Sequence, residues 1–183
     1  MTITILDGTP AGFSGQLSGL LKGLSAELEE KHSLNLFSLS SMKLHFCTGC
    51  WACWWKTPGQ CAIKDDAGEI FRAVINSDLL IFASPLNAGF TSSLLKKITD
   101  RLIVLLHPYI EIRNKESHHK KRYGRYPEIG LIFEKEADTD DEDIEILRDI
   151  YGRFALNFHS RLKFAVPSEQ ISAEEIVDEA CSV

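Results

Sequence analysis

Leu79-Leu-Ile-Phe-Ala83 runs directly into Ser84-Pro85-Leu86-Asn87-Ala88-Gly89-Phe90-Thr91-Ser92, and then into Leu94, Leu95, Ile98, Leu102, Leu105 and Leu106. Five apolar residues without polar alternation predict a strand covered on both faces, as in the parallel sheets of α/β proteins. The turn-rich residues end that strand, and the spacing of the leucines and isoleucine predicts a helix with one buried side. The same order opens the chain. Thr2 to Leu6 (TITIL) reads as a strand and Asp7-Gly8-Thr9-Pro10-Ala11-Gly12-Phe13-Ser14-Gly15 as a loop. Leu17, Leu20, Leu21, Leu24 and Leu28 then recur at helical spacing.

Leu34 to Leu39, Ile129 to Phe133 and Leu162 to Val166 are the remaining strand candidates. Strands alternating with helices imply a parallel sheet with right-handed crossovers. The expected architecture is a flavodoxin-like three-layer α/β sandwich with a five-stranded parallel sheet of order 2-1-3-4-5, as one domain over residues 1–183. In that order the loops after the first and third strands, residues 7–15 and 84–92, meet at the topological switch point where such sheets bind ligands. The first loop offers backbone N–H groups, the Thr9 and Ser14 hydroxyls and a helix N-terminus to an anion such as a phosphate monoester. It is neither a Walker A loop nor a full G-x-G-x-x-G, and a plain strand-to-helix turn accounts for it equally well.

Beside these loops lies Cys47-Thr-Gly-Cys50-Trp-Ala-Cys53, followed after seven residues by Cys61 and by Asp65-Asp66. Four of the five cysteines fall within this loop, residues 47–61, which points to a metal, a cluster or redox chemistry. Structural zinc usually takes two separated C-x-x-C knuckles, whereas three cysteines at consecutive two-residue spacings match the compact run that wraps a four-iron cluster. Reduced, empty thiols are the third reading. Trp51, Trp54 and Trp55, the only tryptophans, could shield a cluster or stack on a flavin or a partner chain. Asp66-Ala-Gly-Glu69 has the form of a capping box, so Asp65 and Asp66 are expected to cap a helix rather than to form a catalytic pair.

The 183 residues suffice for one α/β domain, and 44% hydrophobic and 25% charged residues are ordinary globular values. A formal charge of −6 gives no reason to expect nucleic acid. No apolar run approaches a membrane span, and no signal segment opens the chain, so a cytoplasmic protein is expected, with cysteines as ligands or free thiols. The basic insert at 107–128 carries Arg113, Lys115, Lys120, Lys121, Arg122 and Arg125 among tyrosines. It reads either as an arm that reaches a partner subunit or as a solvated surface excursion; His118 and His119 read as exposed and without a role. The acids from Glu134 to Glu145 would repel a dinucleotide phosphate if they faced the site, and read instead as a solvated helix N-terminus. Ser172 caps a last short helix, and Cys181 reads as a bystander thiol.

Together, the Gly-Thr-Pro loop after the first strand, the C-x-x-C-x-x-C-x7-C run with its Asp pair, and Ser84-Pro85 with Gly89, Ser92, Leu95, Lys96, Asp100 and Arg101 resemble the NADPH-dependent FMN reductase family, and within it the iron–sulfur flavoprotein branch. The resemblance covers residues 1 to 106 well and implies an FMN-binding oxidoreductase that uses NAD(P)H or a ferredoxin-type carrier, in a homodimer or homotetramer that completes the flavin site across subunits. By position, Thr9, Pro10, Ser14, Gly15 and Gln16 would receive the FMN phosphate, and Pro85, Leu86, Asn87, Gly89 and Phe90 would border the isoalloxazine. Cys47, Cys50, Cys53 and Cys61 would ligate a 4Fe-4S cluster. No acid, base or nucleophile is implied. The chain departs from the family pattern at Ala11, where an arginine often stands, and at Asn87 and Ala88, where aromatics are common. Those departures support an alternative: a flavodoxin-like protein without flavin, serving as a binding or assembly module.

Overall fold

Alternate residues of the first strand point to opposite cores: Ile3 and Ile5 to one, Leu6 to the other, all fully buried. This computed structural model describes residues 1–113 and 115–181, except the Cys181 side chain, so the expected bystander role of that thiol lies outside the described residues. In chain order the elements are β1 (Thr2–Asp7), α1 (Gln16–Lys31), β2 (Ser33–Ser38), α2 (Ala52–Trp55), α3 (Ala67–Ile75), β3 (Leu79–Asn87), β4 (Phe90–Thr91), α4 (Ser93–Thr99), β5 (Leu106–Arg113), β6 (Glu116–Lys121), β7 (Glu128–Glu134), α5 (Asp141–Asn157), β8 (Leu162–Pro167) and α6 (Ala173–Cys181). The strands β2-β1-β3-β7-β8 pair in parallel in that order, which is the expected 2-1-3-4-5 arrangement.

The continuous apolar run in β3 serves both layers. Leu79, Ile81 and Ala83 pack with Leu17, Leu21, Leu24 and Leu28 of α1 and Ile176 of α6. Leu80 and Phe82 pack on the other side with α3, α4 and α5, through Ile70, Leu95, Ile98 and Tyr151. Between β7 and β8 the register shifts at Gly130, where an added Cβ would lie 2.4 Å from the Phe164 ring. Glycine lets that ring close over the backbone.

Five expectations change. The third strand does not end at Ala83 but continues through Pro85 and Asn87; Ser84, Pro85 and Leu86 are therefore buried strand residues rather than loop. The helix after Ser92 is α-helical only to Thr99, tightens into a 3₁₀ segment over Asp100–Leu105, and gives way at Leu106 to a strand. The basic insert is an ordered antiparallel hairpin of β5 and β6. His118 is not exposed within it: 3% of its surface is accessible, and its ring meets Glu116 and Asn157. The acidic segment leads into α5, where the Asp140 and Asp143 side chains and backbone N–H groups cap each other, but its first members are not part of a solvated helix start: Glu134 ends β7, and Glu134 and Glu136 are half-buried and accept backbone N–H groups of Leu17 and Gly89.

Candidate functional site

The turns after β1 and β3 are tied together by two hydrogen bonds, both to the backbone of Gly8. The Gly8 N–H donates to the Ala83 carbonyl at 2.8 Å, and the Ser92 hydroxyl donates to the Gly8 carbonyl at 2.7 Å. Ser92 also caps α4 by accepting the Leu95 N–H, while its own N–H donates to Ser84 Oγ at 2.8 Å. A side chain at Gly8 would lie 2.9 Å from both Leu95 Cβ and Ser92 Oγ, so only glycine permits this approach. Ala88 and Gly89 have φ of 51° and 72° and join β3 to β4 in a two-residue hairpin.

Each predicted residue can be placed around this crevice. Thr9 is buried; Pro10, Ser14 and Gln16 are exposed along the first turn and the start of α1. Gly15 is the helix N-cap, without a side-chain cap. Pro85 and Leu86 are buried, and the β3–β4 tip stands beside the first turn with Asn87 exposed and Gly89 and Phe90 half-buried. At the phosphate end, the donors are already in use. Thr9 gives its N–H and its hydroxyl to Asp7 Oδ1, at 2.9 and 2.7 Å. The Leu17 N–H donates to Glu134 Oε2 at 2.8 Å; at the ring end, the Gly89 N–H donates to Glu136 Oε2 at 3.1 Å. The chain thus sets carboxylates where a phosphate was expected, and those groups do not fit a phosphate as they stand.

The cysteine loop is braced by a buried ion pair that sequence reading missed. Arg101 clasps Asp65 at 2.6 and 2.9 Å, with side-chain exposures of 2% and 0%. The same guanidinium donates to the His45 carbonyl at 3.1 Å and to Cys61 Sγ at 3.4 Å. Burial pushes the Asp65 carboxyl up, but hydrogen bonds from Arg101 and the His45 N–H outweigh it and hold the group below the usual carboxylate range. The expected capping box at Asp66 is absent. Its carboxylate instead accepts the Lys43 N–H at 2.6 Å, and Asp65 takes the Ala67 N–H at 3.3 Å. Aspartates bonded across the loop in this way tie both of its ends to α3. The signal was present: an arginine next to Asp100 on a helix face otherwise apolar.

All four loop cysteines line one cavity of about 370 Å³, together with Asp100, Arg101, Ile103 and Val104. Cys47 and Cys50 are exposed, Cys53 and Cys61 half-buried. Burial pushes the Cys53 thiol up, and the neighbouring Cys61, Cys47 and Cys50 add to that. The Ala52 N–H and the Thr48 side chain pull Cys50 down. Among the described residues no three His, Cys, Asp or Glu side chains converge on a single metal ion. Tetrahedral zinc would need its sulfurs about 3.8 Å apart. A cluster spreads its thiolates more widely, and four thiols around one cavity beside a fixed cation fit that donor set. Trp51 lines the cavity and packs on Trp54 at 4.6 Å; the Trp54 indole N–H donates to the Ile103 carbonyl at 3.2 Å, and its ring meets His119 of the hairpin at 4.8 Å.

Among the described residues no helix is long and apolar enough to cross a membrane. Over 101 residues the chain is 34% identical to an iron-sulfur flavoprotein of Archaeoglobus fulgidus, a match covering 55% of this chain and 44% of that protein. An iron-sulfur flavoprotein of Methanocaldococcus jannaschii is 31% identical over 115 residues, covering 63% and 58%. The matches therefore span about half the length of these relatives. Among solved structures, the NAD(P)H:quinone oxidoreductase of Methanothermobacter marburgensis superposes with a TM-score of 0.63 at 16% identity, covering 91% of this chain and 82% of that one. An azoreductase of Bacillus anthracis gives 0.63 at 10% identity, covering 98% and 94%; at such identities the likeness is one of fold. The family model described as NADPH-dependent FMN reductase matches residues 1–122, two thirds of the chain, and the chain belongs to that family.

Proposed function

We propose that this chain is an FMN-binding oxidoreductase that draws electrons from NAD(P)H or a reduced ferredoxin-type protein, and that Cys47, Cys50, Cys53 and Cys61 hold a four-iron cluster. The observation that carries the flavin reading is the hydrogen-bonded contact of Gly8 with Ala83 and Ser92. It sets two turns side by side at the carboxyl edge of a parallel sheet, where open α/β sheets take nucleotides. Membership of the FMN reductase family supports it, and the similarity to iron-sulfur flavoproteins supports the cluster.

When bound, the flavin supplies hydride and single-electron chemistry and the cluster a single-electron relay. The chain's residues place and screen these groups. The β3–β4 tip presents the Gly89 backbone and Phe90 to a flavin ring, while Ser84 and Ser92 keep the turns behind it rigid. Arg101 puts a fixed positive charge beside Cys61, which offsets the negative charge that thiolate ligands bring to a cluster. The 3₁₀ segment that lines the cysteine cavity continues the helix capped by Ser92, so one rigid rod joins the two sites. Tyr109 and Ile112 stand exposed on the hairpin and are the surface through which a second copy would complete an oligomer.

Protein purified without oxygen is expected to release FMN, and to carry iron and sulfide at about four each per chain. Colourless protein that takes up neither FMN nor iron would overturn the reading. One observation favours a second reading, a binding module without flavin: Glu134 and Glu136 already accept the N–H groups of both turns. Flavin uptake separates the two.

A further inference from the structure

Glu134 and Glu136 lie on one short segment between β7 and α5, and that segment touches both turns of the crevice. Glu134 ends β7 directly beside Pro85 of β3, so the sheet register places it at the carboxyl edge. From there its carboxylate reaches the first turn of α1. It accepts the Leu17 N–H at 2.8 Å and lies so close to Gly15 that a Cβ there would sit 2.3 Å from Glu134 Oε1. Two residues on, Glu136 accepts the Gly89 N–H at 3.1 Å. The segment is held in this pose at its far end, where Thr139 Oγ1 accepts the Glu136 N–H and the Asp140–Asp143 box starts α5. Asp143 reaches back to within 3.3 Å of where a Gly89 side chain would begin.

Among the described residues neither Glu134 nor Glu136 has a lysine or arginine partner. Their charges are met only by backbone donors, the groups that an anionic ligand would use. Asp7 already takes the Thr9 donors on the same turn. A phosphate dianion entering there would face two carboxylates at close range, and like charges brought together out of bulk water repel strongly.

We infer that Glu134 is the chain's own occupant of the flavin phosphate seat, so that a phosphorylated flavin binds only by displacing it, and that this residue sets the preference between phosphorylated and unphosphorylated flavin. The inference rests on the flavin reading above. Glu136 acts at the other end of the crevice, on the ring side, where both kinds of flavin present the same atoms.

The test is a fluorescence titration of the full chain with FMN and with riboflavin, in wild type, Glu134→Ala, Glu134→Gln and Glu136→Ala, with circular dichroism to confirm folding. Glu134→Ala is expected to tighten FMN at least about tenfold while riboflavin stays within about twofold. Glu134→Gln, which keeps the side-chain shape without the charge, should move FMN in the same direction and serves if the alanine variant does not fold. Glu136→Ala should change both flavins alike. Unchanged FMN affinity in both Glu134 variants, or an equal gain for the two flavins, overturns the inference while leaving the flavin site standing. Failure of every form to bind either flavin sinks the flavin reading itself, and the inference with it.

Discussion

Gly8 shows how little separates a working crevice from a broken one. A methyl group there would meet Leu95 Cβ and Ser92 Oγ at 2.9 Å and the Ala83 carbonyl at 3.2 Å, all parts of the rigid third-strand turn. Gly8→Ala is therefore expected to cost about 1–3 kcal/mol in urea unfolding and to weaken FMN uptake, because the turns must part to admit it. Asp65 and Arg101 carry a second prediction. Removing one partner of a buried pair strands the other, so Asp65→Asn should destabilise by about 3–5 kcal/mol. The pH dependence follows from the depressed Asp65 carboxyl, which Arg101 and the His45 N–H hold low against the upward push of burial. Its contribution is complete above the usual carboxylate range and is lost as pH falls through the lowered value. The gap between wild type and Asp65→Asn should thus close in strong acid, as unfolding midpoints measured across pH would show.

Strands and helices were legible where their pattern is local. The apolar runs of β1, β3, β7 and β8 and the leucine spacing of α1 predict elements that the structure contains, because burial on both sheet faces leaves few polar positions in a run. The hairpin of β5 and β6 was not legible: its apolar residues Tyr109, Ile110 and Ile112 are exposed among charged ones, and what orders it comes from elsewhere in the chain, such as Trp54 against His119 and Asn157 on His118. The capping assignments divide by the same rule. Ser172 and Glu175 cap α6 as the S-x-x-E pattern predicts. The matching pattern at Asp66 fails because the backbone of Lys43, distant in sequence, takes that carboxylate. For α5 the cap is real, and Asp140→Ala should lower stability by about 1 kcal/mol, read from thermal unfolding.

The whole molecule keeps its two candidate sites on one carboxyl edge. The strand order was readable from the sequence because alternating strands and helices leave few topologies. The occupants of the edge were not, since Glu134 reaches Leu17 across 117 positions and Arg101 reaches Asp65 across 36. The bracing of the cysteine loop by aspartates and an arginine has a last consequence. A loop shaped by side-chain pairs needs no iron to keep its form, so removing the proposed cluster should not loosen it. Lys56 lies exposed inside it and Lys64 three residues beyond its end, and they offer trypsin two places to cut. Digestion should spare both bonds equally in iron-loaded and iron-free protein, and attack them quickly in Arg101→Leu; rapid cleavage of the iron-free wild type would show that metal, not salt bridge, is the scaffold.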